Sequence, residues 1–197
     1  PFITSTLQQE GIRKLRMSSQ QVMRTAQKLY EEGYITYMRT DSISLSSEAL
    51  SASRKAIQSL YGEEYIPDKP RVFKSKVKNA QEAHEAIRPA GSTFINPKDI
   101  REKLDDREWK LYDMIWKRTL ASQMKSAKLL KTNVEITNDK AIFNANGKVI
   151  EFPGFLKVYV EDIDDPNKEK DDKESILPPM KEGDSVIGKK FIPNQHF

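Results

Sequence analysis

The sequence predicts a multidomain α+β chain, with a mainly helical domain over residues 1–126 and a β-rich segment over residues 127–197. Two observations support this division. Apolar residues recur at helical spacing in the first part, and they alternate with polar residues after about Ala127. The chain has 197 residues, of which 37% are hydrophobic, so it can bury a substantial core.

Three helices are predicted in the first part from their start and stop residues. Ser18 with Gln21 forms a capping box before an apolar stripe, and Gly33 can supply the left-handed conformation that ends the helix. A second helix begins at Ser46 and ends at Gly62. Residues 63–79 are polar and are expected to form a loop, and a short helical stretch is expected to precede Pro89.

The third predicted helix follows a second capping signal, Asp105 with Glu108. It carries Trp109 and Trp116, seven residues apart and therefore on nearly one helical face. Core packing accounts for two tryptophans in this arrangement better than base stacking does.

Strands are predicted where the period changes to two. Residues 132–136 and 141–145 alternate, and Asn146-Gly147 is typical of a hairpin turn. A further strand over 149–160 is interrupted at Pro153-Gly154. The acidic run 161–174 is expected to be a mobile loop. Closing strands are expected around three sites: Ile176, Val186-Ile187 and Phe191.

Charge and composition narrow the class of protein. The net charge is +4, but residues 161–174 alone carry −5, so the rest of the chain carries +9. A basic body of this kind suits a DNA-facing protein, although an ordinary domain with scattered lysines is the alternative. No cysteine is present, which excludes disulfides and thiolate metal sites. The sequence contains no apolar run of membrane-spanning length, and no secretory segment opens it.

Residues 33–42 combine side chains that helix or strand formation does not require. Tyr37 lies two residues before Arg39, with two hydroxyls and the Asp41 carboxylate close by. A neighbouring cation stabilises the phenolate that would attack a phosphodiester, and the planar guanidinium suits phosphate oxygens. The alternative is a short, half-buried strand in which Arg39 and Asp41 pair in solvent.

Three segments resemble, in the same order, motifs of the type IA DNA topoisomerases. Residues 35–42, Ile-Thr-Tyr-Met-Arg-Thr-Asp-Ser, resemble the active-site motif of the family, in its bacterial topoisomerase I form. The family's segment upstream of the catalytic tyrosine resembles residues 1–9, Pro-Phe-Ile-Thr-Ser-Thr-Leu-Gln-Gln. Its downstream histidine motif resembles residues 80–89, Ala-Gln-Glu-Ala-His-Glu-Ala-Ile-Arg-Pro. Because Pro1 opens the chain inside a motif, we expect a fragment of a longer protein.

The resemblance implies a reaction and three catalytic residues. Tyr37 would attack a phosphate of single-stranded DNA and form a transient 5′-phosphotyrosine. Strand passage and religation would then relax negative supercoils without ATP. Arg39 would hold the scissile phosphate, and His84 would lie near the DNA backbone. The alternative for His84 is a capped helix residue without substrate contact.

Five further residues are expected to bind DNA: Ser5, Thr6, Gln8, Asp41 and Arg88. For the first three, the alternative is to cap a following helix. Asp41 could instead cap a turn, or orient Arg39 or His84. The alternative for Arg88 is a salt bridge with Glu85.

The resemblance also implies magnesium, which the family binds through an acidic cluster in a separate domain. No motif in this chain matches that cluster, so we expect no metal site here and no relaxation by the isolated chain. The expected partner is DNA, chiefly single-stranded, with no membrane. We expect a monomer in the bacterial cytoplasm, associated with the nucleoid. The β-rich segment would belong to the family's arch domain.

Two other functions fit parts of the sequence. A tyrosine recombinase or type IB strand transferase would make a 3′ link, but such enzymes need several dispersed arginines around the tyrosine. A non-catalytic module that binds single-stranded DNA would use the basic body alone.

Overall fold

A computed structural model describes residues 1–73, 85–138, 141–159, 175–176 and 180–190. Predictions for His84, for the acidic run 161–174 and for Phe191 lie outside these residues.

The described residues form a mixed α/β fold, with four α-helices and one three-stranded sheet. The helices are α1 (Thr4–Leu15), α2 (Ser19–Glu31), α3 (Ser47–Tyr61) and α4 (Asp106–Gln123), and the strands are β1 (Lys128–Asn138), β2 (Ala141–Phe152) and β3 (Ser175–Ile176). Short 3-10 helices lie at Glu63–Tyr65, Pro97–Ile100 and Gly154–Lys157. None of these helices is long and apolar enough to cross a membrane.

The chain divides into two compact units. One comprises Pro1–Ala127 and Pro153–Asp164, and the other comprises Lys128–Phe152 and Asp165–Phe197. Residues 153–159 therefore pack with the helices, whereas the sequence placed all of 127–197 in one β-rich segment. Pro153 cannot donate to a strand ladder, so β2 ends before it. The chain then returns to the helical unit, where Phe155 N donates to Lys125 O at 3.0 Å.

The boundaries of α2 and α3 follow the capping residues that predicted them. Ser18 Oγ accepts from Gln21 N at 3.2 Å, and Gln21 Oε1 accepts from Ser18 N at 2.8 Å. Gly33 has φ +78°, which is the left-handed conformation expected after α2. The N-cap of α3 is Ser46, and its C-cap is Gly62.

The capping box of α4 is also confirmed. Asp105 accepts from the backbone of Glu108 at 2.9 Å, and Glu108 accepts from that of Asp105 at 3.0 Å. Trp116 is buried in the core as predicted. Trp109 is half-buried, and its indole N–H donates to Pro97 O at 2.8 Å.

The core of the helical unit gathers apolar side chains from all four helices and from the segments between them. Its fully buried members include Phe2, Leu7, Leu29, Ile35, Ile57, Ile87, Leu111, Ile115 and Leu120. Phe2 pairs with Ile87 in an isolated antiparallel bridge, and Ile35 pairs with Pro89 in another. These bridges bring the three motif-bearing segments together in one unit.

The predicted hairpin turn at Asn146-Gly147 is wrong. Both residues lie inside β2, where they pair with β1, and Asn138 pairs with Ala141 at the end of the ladder. The ladder therefore continues past Asn146-Gly147 as far as the pair Asn138 and Ala141. This register pairs almost the whole of β1 with β2, whereas a turn at 146–147 would leave β1 without that partner.

The closing strands are only partly as predicted. Ser175–Ile176 pairs with Gly147–Lys148, in parallel orientation. Val186 and Ile187 are not in a strand, and Ile187 is 86% exposed. Apolar, β-branched residues favoured a strand there, but the described sheet provides no partner for it.

Candidate active site

The motif at residues 35–42 forms an irregular loop immediately after α2. Exposed and buried side chains alternate along it, as on an extended chain, although only Ile35 makes a β-bridge. The exposed side chains are those of Tyr37, Arg39 and Asp41, and the buried ones are those of Met38, Thr40 and Ser42. The side chains with the predicted chemistry therefore share the solvent-facing side.

The N-terminal end of this loop is fixed by Thr36. Its hydroxyl donates to Ala86 O at 2.8 Å and accepts from Arg88 N at 3.0 Å. The Thr36 backbone N–H also donates to Arg88 O at 2.9 Å. These bonds attach the residue before Tyr37 to the C-terminal part of the histidine motif.

The C-terminal end is fixed by Thr4, the first residue of α1. Its hydroxyl lies 2.8 Å from Met38 O and 3.0 Å from Thr40 O, and it accepts from Thr40 N at 2.9 Å. The Thr4 backbone N–H donates to Thr40 O at 2.9 Å. Residues 37–39 are therefore held between two threonines from distant parts of the sequence.

The Tyr37 side chain projects from this support toward solvent. It is 40% exposed, and its ring packs edge-to-face against Tyr30 of α2, with centroids 5.2 Å apart. A phenol mounted in this way is accessible to a macromolecular substrate and has its ring oriented by a neighbour.

Arg39 and Asp41 line an open depression of about 460 Å³ beside the loop. The other lining residues are Thr40 and four residues at the N-terminal end of the chain: Ile3, Thr4, Ser5 and Gln8. Within the described residues, Arg39 and Asp41 form no ion pair with each other. The Arg39 guanidinium can therefore face a ligand in this depression.

The three polar residues predicted in the first motif have different surroundings. Ser5 is exposed in the depression. Thr6 caps α1, because its hydroxyl accepts from Ile3 N at 3.0 Å. Gln8 lines the depression and donates to Ser19 Oγ at 2.8 Å. The geometry thus favours the capping alternative for Thr6 and places Ser5 and Gln8 at the depression.

Arg88 lies in the interior, with only 5% of the residue exposed. Its Nε and Nη2 donate to Glu85 Oε2 at 2.9 and 2.7 Å, and its Nη1 donates to Pro89 O and Gly91 O. This arrangement is the salt-bridge alternative, and it uses the donors of the guanidinium inside the protein.

Glu85 connects that salt bridge to α3, because its Oε1 accepts from Ser46 N at 2.8 Å. Partial burial disfavours the charged carboxylate, but hydrogen bonds from Ser46 and the charge of Arg88 outweigh it. Together they hold the pKa of Glu85 below its ordinary value.

His84 lies outside the described residues, so its role stays a prediction. Sequence reasoning missed Thr4, Thr36 and Tyr30 as parts of this site. The motif match covered both threonines, but which backbone groups a hydroxyl reaches depends on contacts more than thirty residues apart in sequence. Tyr30 lies in α2, and helical spacing alone does not predict its ring contact with Tyr37.

Comparison with known proteins identifies the family. A DNA topoisomerase family model matches residues 1–197. This chain belongs to the DNA topoisomerase family. This match and bacterial relatives named DNA topoisomerase 1 confirm the resemblance to bacterial type IA topoisomerase I.

Similar bacterial proteins agree with this assignment. DNA topoisomerase 1 of Synechococcus elongatus is 54% identical over 184 residues, which are 93% of this chain and 21% of that protein. The Mycolicibacterium smegmatis protein of the same name is 53% identical, over 94% of this chain and 20% of its own length. The chain therefore spans about a fifth of the length of these curated topoisomerases.

A solved structure supports the topoisomerase fold. The full-length topoisomerase I from Thermotoga maritima is 36% identical to this chain, with a TM-score of 0.69. The match covers 94% of this chain and 29% of the Thermotoga protein.

Proposed function

We propose that this chain is the nucleophile-bearing part of a type IA DNA topoisomerase. In this proposal Tyr37 cleaves one DNA strand transiently, and another strand passes before the break is resealed. The observation that carries the proposal is the geometry of residues 37–41. A loop fixed at both ends presents a phenol, a guanidinium and a carboxylate on its exposed side, beside an open depression.

The chemistry follows from the side chains. The Tyr37 phenol gives up its proton, and its oxygen attacks phosphorus, so that a Tyr–O–P bond forms while the P–O3′ bond breaks. The departing 3′ oxygen takes a proton and leaves as a hydroxyl. Because the phosphotyrosine keeps the phosphodiester bond energy, the 3′-hydroxyl can reverse the reaction without ATP.

Arg39 would stabilise the negative charge that grows on the phosphate during attack. Its guanidinium offers paired donors with the geometry of phosphate oxygens. Ser5 and Gln8, across the same depression, would contact phosphate or sugar groups of the bound strand. Asp41 would orient Arg39 or His84, and His84 would assist near the DNA backbone.

Magnesium would act from outside this chain. Within the described ranges, no three histidine, cysteine, aspartate or glutamate residues gather in a group that could hold a metal ion. The residues described here therefore do not fit a resident metal, and no step above involves one. We propose that the metal-binding carboxylates belong to another part of the longer enzyme.

The proposed substrate is single-stranded DNA, because the depression is open and a splayed strand can place its phosphate beside an exposed phenol. The basic charge outside the acidic run supports this choice. We further propose that this chain is monomeric and that the parent enzyme works in the bacterial cytoplasm.

The test uses the full-length enzyme that carries this chain, with negatively supercoiled plasmid and a labelled single strand. Tyr37→Phe should abolish both relaxation and the covalent protein–DNA adduct, since it removes the phenolic oxygen and keeps the ring. Tyr30→Phe is the matched control, because Tyr30 is an equally exposed tyrosine in contact with Tyr37. It should retain both activities.

Other outcomes would favour the alternatives. Full relaxation by Tyr37→Phe would leave only a DNA-binding role for this loop. An adduct joined through a 3′-phosphate would indicate a type IB strand transferase.

A further inference from the structure

Thr4 makes an unusual set of hydrogen bonds that the proposed reaction does not itself use. Its hydroxyl contacts the carbonyl of Met38 and both the carbonyl and the N–H of Thr40, all within 3.0 Å. A hydroxyl has one donor and two acceptor positions, so these contacts use most of its bonding capacity.

The two contacted residues flank Arg39. The carbonyl of Met38 belongs to the peptide group before Arg39, and the N–H of Thr40 belongs to the one after it. A single side chain therefore fixes both peptide planes that set the direction of the Arg39 side chain. Met38 and Thr40 are themselves buried, so the loop backbone has few alternative positions.

The support for Thr4 is rigid. Thr4 begins α1, and three residues later the fully buried Leu7 anchors this helix in the core. The Thr4 backbone N–H also donates to Thr40 O at 2.9 Å. Any substitution other than proline keeps that backbone N–H, so α1 and the loop can stay connected without the hydroxyl.

We propose that Thr4 is a positioning residue for Arg39, an inference that rests on the proposed cleavage by Tyr37. Its hydroxyl holds the Arg39 backbone so that the guanidinium faces the depression that both residues line. Thr4 need not contact DNA in this role. Its effect on the reaction passes through Arg39.

The first experiment compares Thr4→Val and Thr4→Ser in the full-length enzyme. Valine keeps the shape and removes the hydroxyl, so single-turnover cleavage of a labelled strand should slow by about tenfold. The Kd for DNA should stay within about twofold, because phosphate contacts elsewhere supply the affinity. Serine keeps the hydroxyl and should restore most of the rate.

Thr119→Val serves as the control for a lost, buried hydroxyl. Thr119 is fully buried in α4, and its hydroxyl donates to Ile115 O at 2.8 Å in the same helix. This variant should lose stability but should cleave at the wild-type rate. A slower rate in Thr119→Val, matching that in Thr4→Val, would mean that general destabilisation causes the loss.

The decisive measurement is the same Thr4→Val substitution in an Arg39→Ala background. If Thr4 acts only through Arg39, adding Thr4→Val to Arg39→Ala should change the remaining cleavage rate by less than about twofold. An equal loss in both backgrounds would contradict the proposal. If Arg39→Ala cleaves too slowly to measure, the cleavage rate of Thr4→Ser is the test. A Thr4→Ser rate as low as that of Thr4→Val would overturn the proposal.

These results are separable from a failure of the proposed function. If Tyr37 is not the nucleophile, Tyr37→Phe still forms the adduct, whatever Thr4 does. If only the Thr4 inference is wrong, Tyr37→Phe is inactive while Thr4→Val cleaves at the wild-type rate.

Discussion

Arg39 and Arg88 lie in adjacent segments of the same unit, and both belong to family motifs, yet their surroundings are opposite. Arg39 is exposed beside a depression. Arg88 is 5% exposed and donates to Glu85, Pro89 and Gly91. The difference lies in the acceptors that the fold itself provides. An arginine whose donors are already used inside the protein holds the fold, and one that faces solvent can bind a phosphate.

The same contrast applies to the two segments as a whole. Tyr37, Arg39 and Asp41 are exposed, while Arg88 is buried and the backbone of residues 86–88 holds Thr36. The second segment thus supports the first. Substitutions in the two segments should therefore separate stability from activity.

The largest expected effect on stability comes from Arg88→Ala. It removes the buried cation of a half-buried ion pair, and Glu85 keeps only its bond from Ser46 N, so the free energy of unfolding should fall by about 2 kcal/mol. Urea unfolding of the chain, followed by circular dichroism, measures this loss. The matched variant Arg39→Ala should stay within about 0.5 kcal/mol of wild type. Equal losses would mean that Arg39 also has a structural role.

Arg39→Lys tests the other side of the comparison. The substitution keeps the charge but loses the planar fork of donors, so the cleavage rate of the full-length enzyme should fall about ten- to a hundredfold. DNA affinity should change by less than about threefold, since one phosphate contact is a small part of the total. Rate and affinity falling in parallel would instead assign Arg39 to binding alone.

A smaller effect on stability is expected from the ionisation of Glu85. The lowered pKa of Glu85 means that the unfolded chain binds its proton more readily than the folded chain does. The stabilisation is therefore present above the ordinary pKa of 4.5 and is lost as the pH falls through the lower, folded value. Glu85→Gln should be less stable than wild type at pH 7, and the two urea midpoints should approach each other below about pH 4. A constant difference would rule out this ionisation as the cause.

Much of the helical unit could be predicted from local signals. Ser18, Ser46 and Asp105 mark helix starts because each side chain satisfies backbone N–H groups within its own first turn. The turn at Asn146-Gly147 was predicted wrongly because turn propensity is local, while the hairpin register depends on pairing along the whole of β1 and β2.

The site was predictable only in part, because its contacts also join residues that are far apart in the sequence. The exposure of Tyr37 and Arg39 agrees with the motif. Whether Arg88 binds DNA or pairs with Glu85 depends on how deeply it is buried, and the neighbouring residues in the sequence do not indicate that. The hydrogen bond that Thr40 N donates to the Thr4 hydroxyl joins residues 36 positions apart, and no spacing rule along the chain predicts it.

The central claim is that the exposed Tyr37 is the nucleophile that this loop presents. The most direct measurement is mass spectrometry of the peptide attached to DNA after cleavage by the full-length enzyme is trapped with denaturant. We predict a single adduct, on Tyr37, joined to the 5′-phosphate of the cleaved strand. Attachment to the neighbouring Tyr34 or Tyr30, or through a 3′-phosphate, would contradict the account.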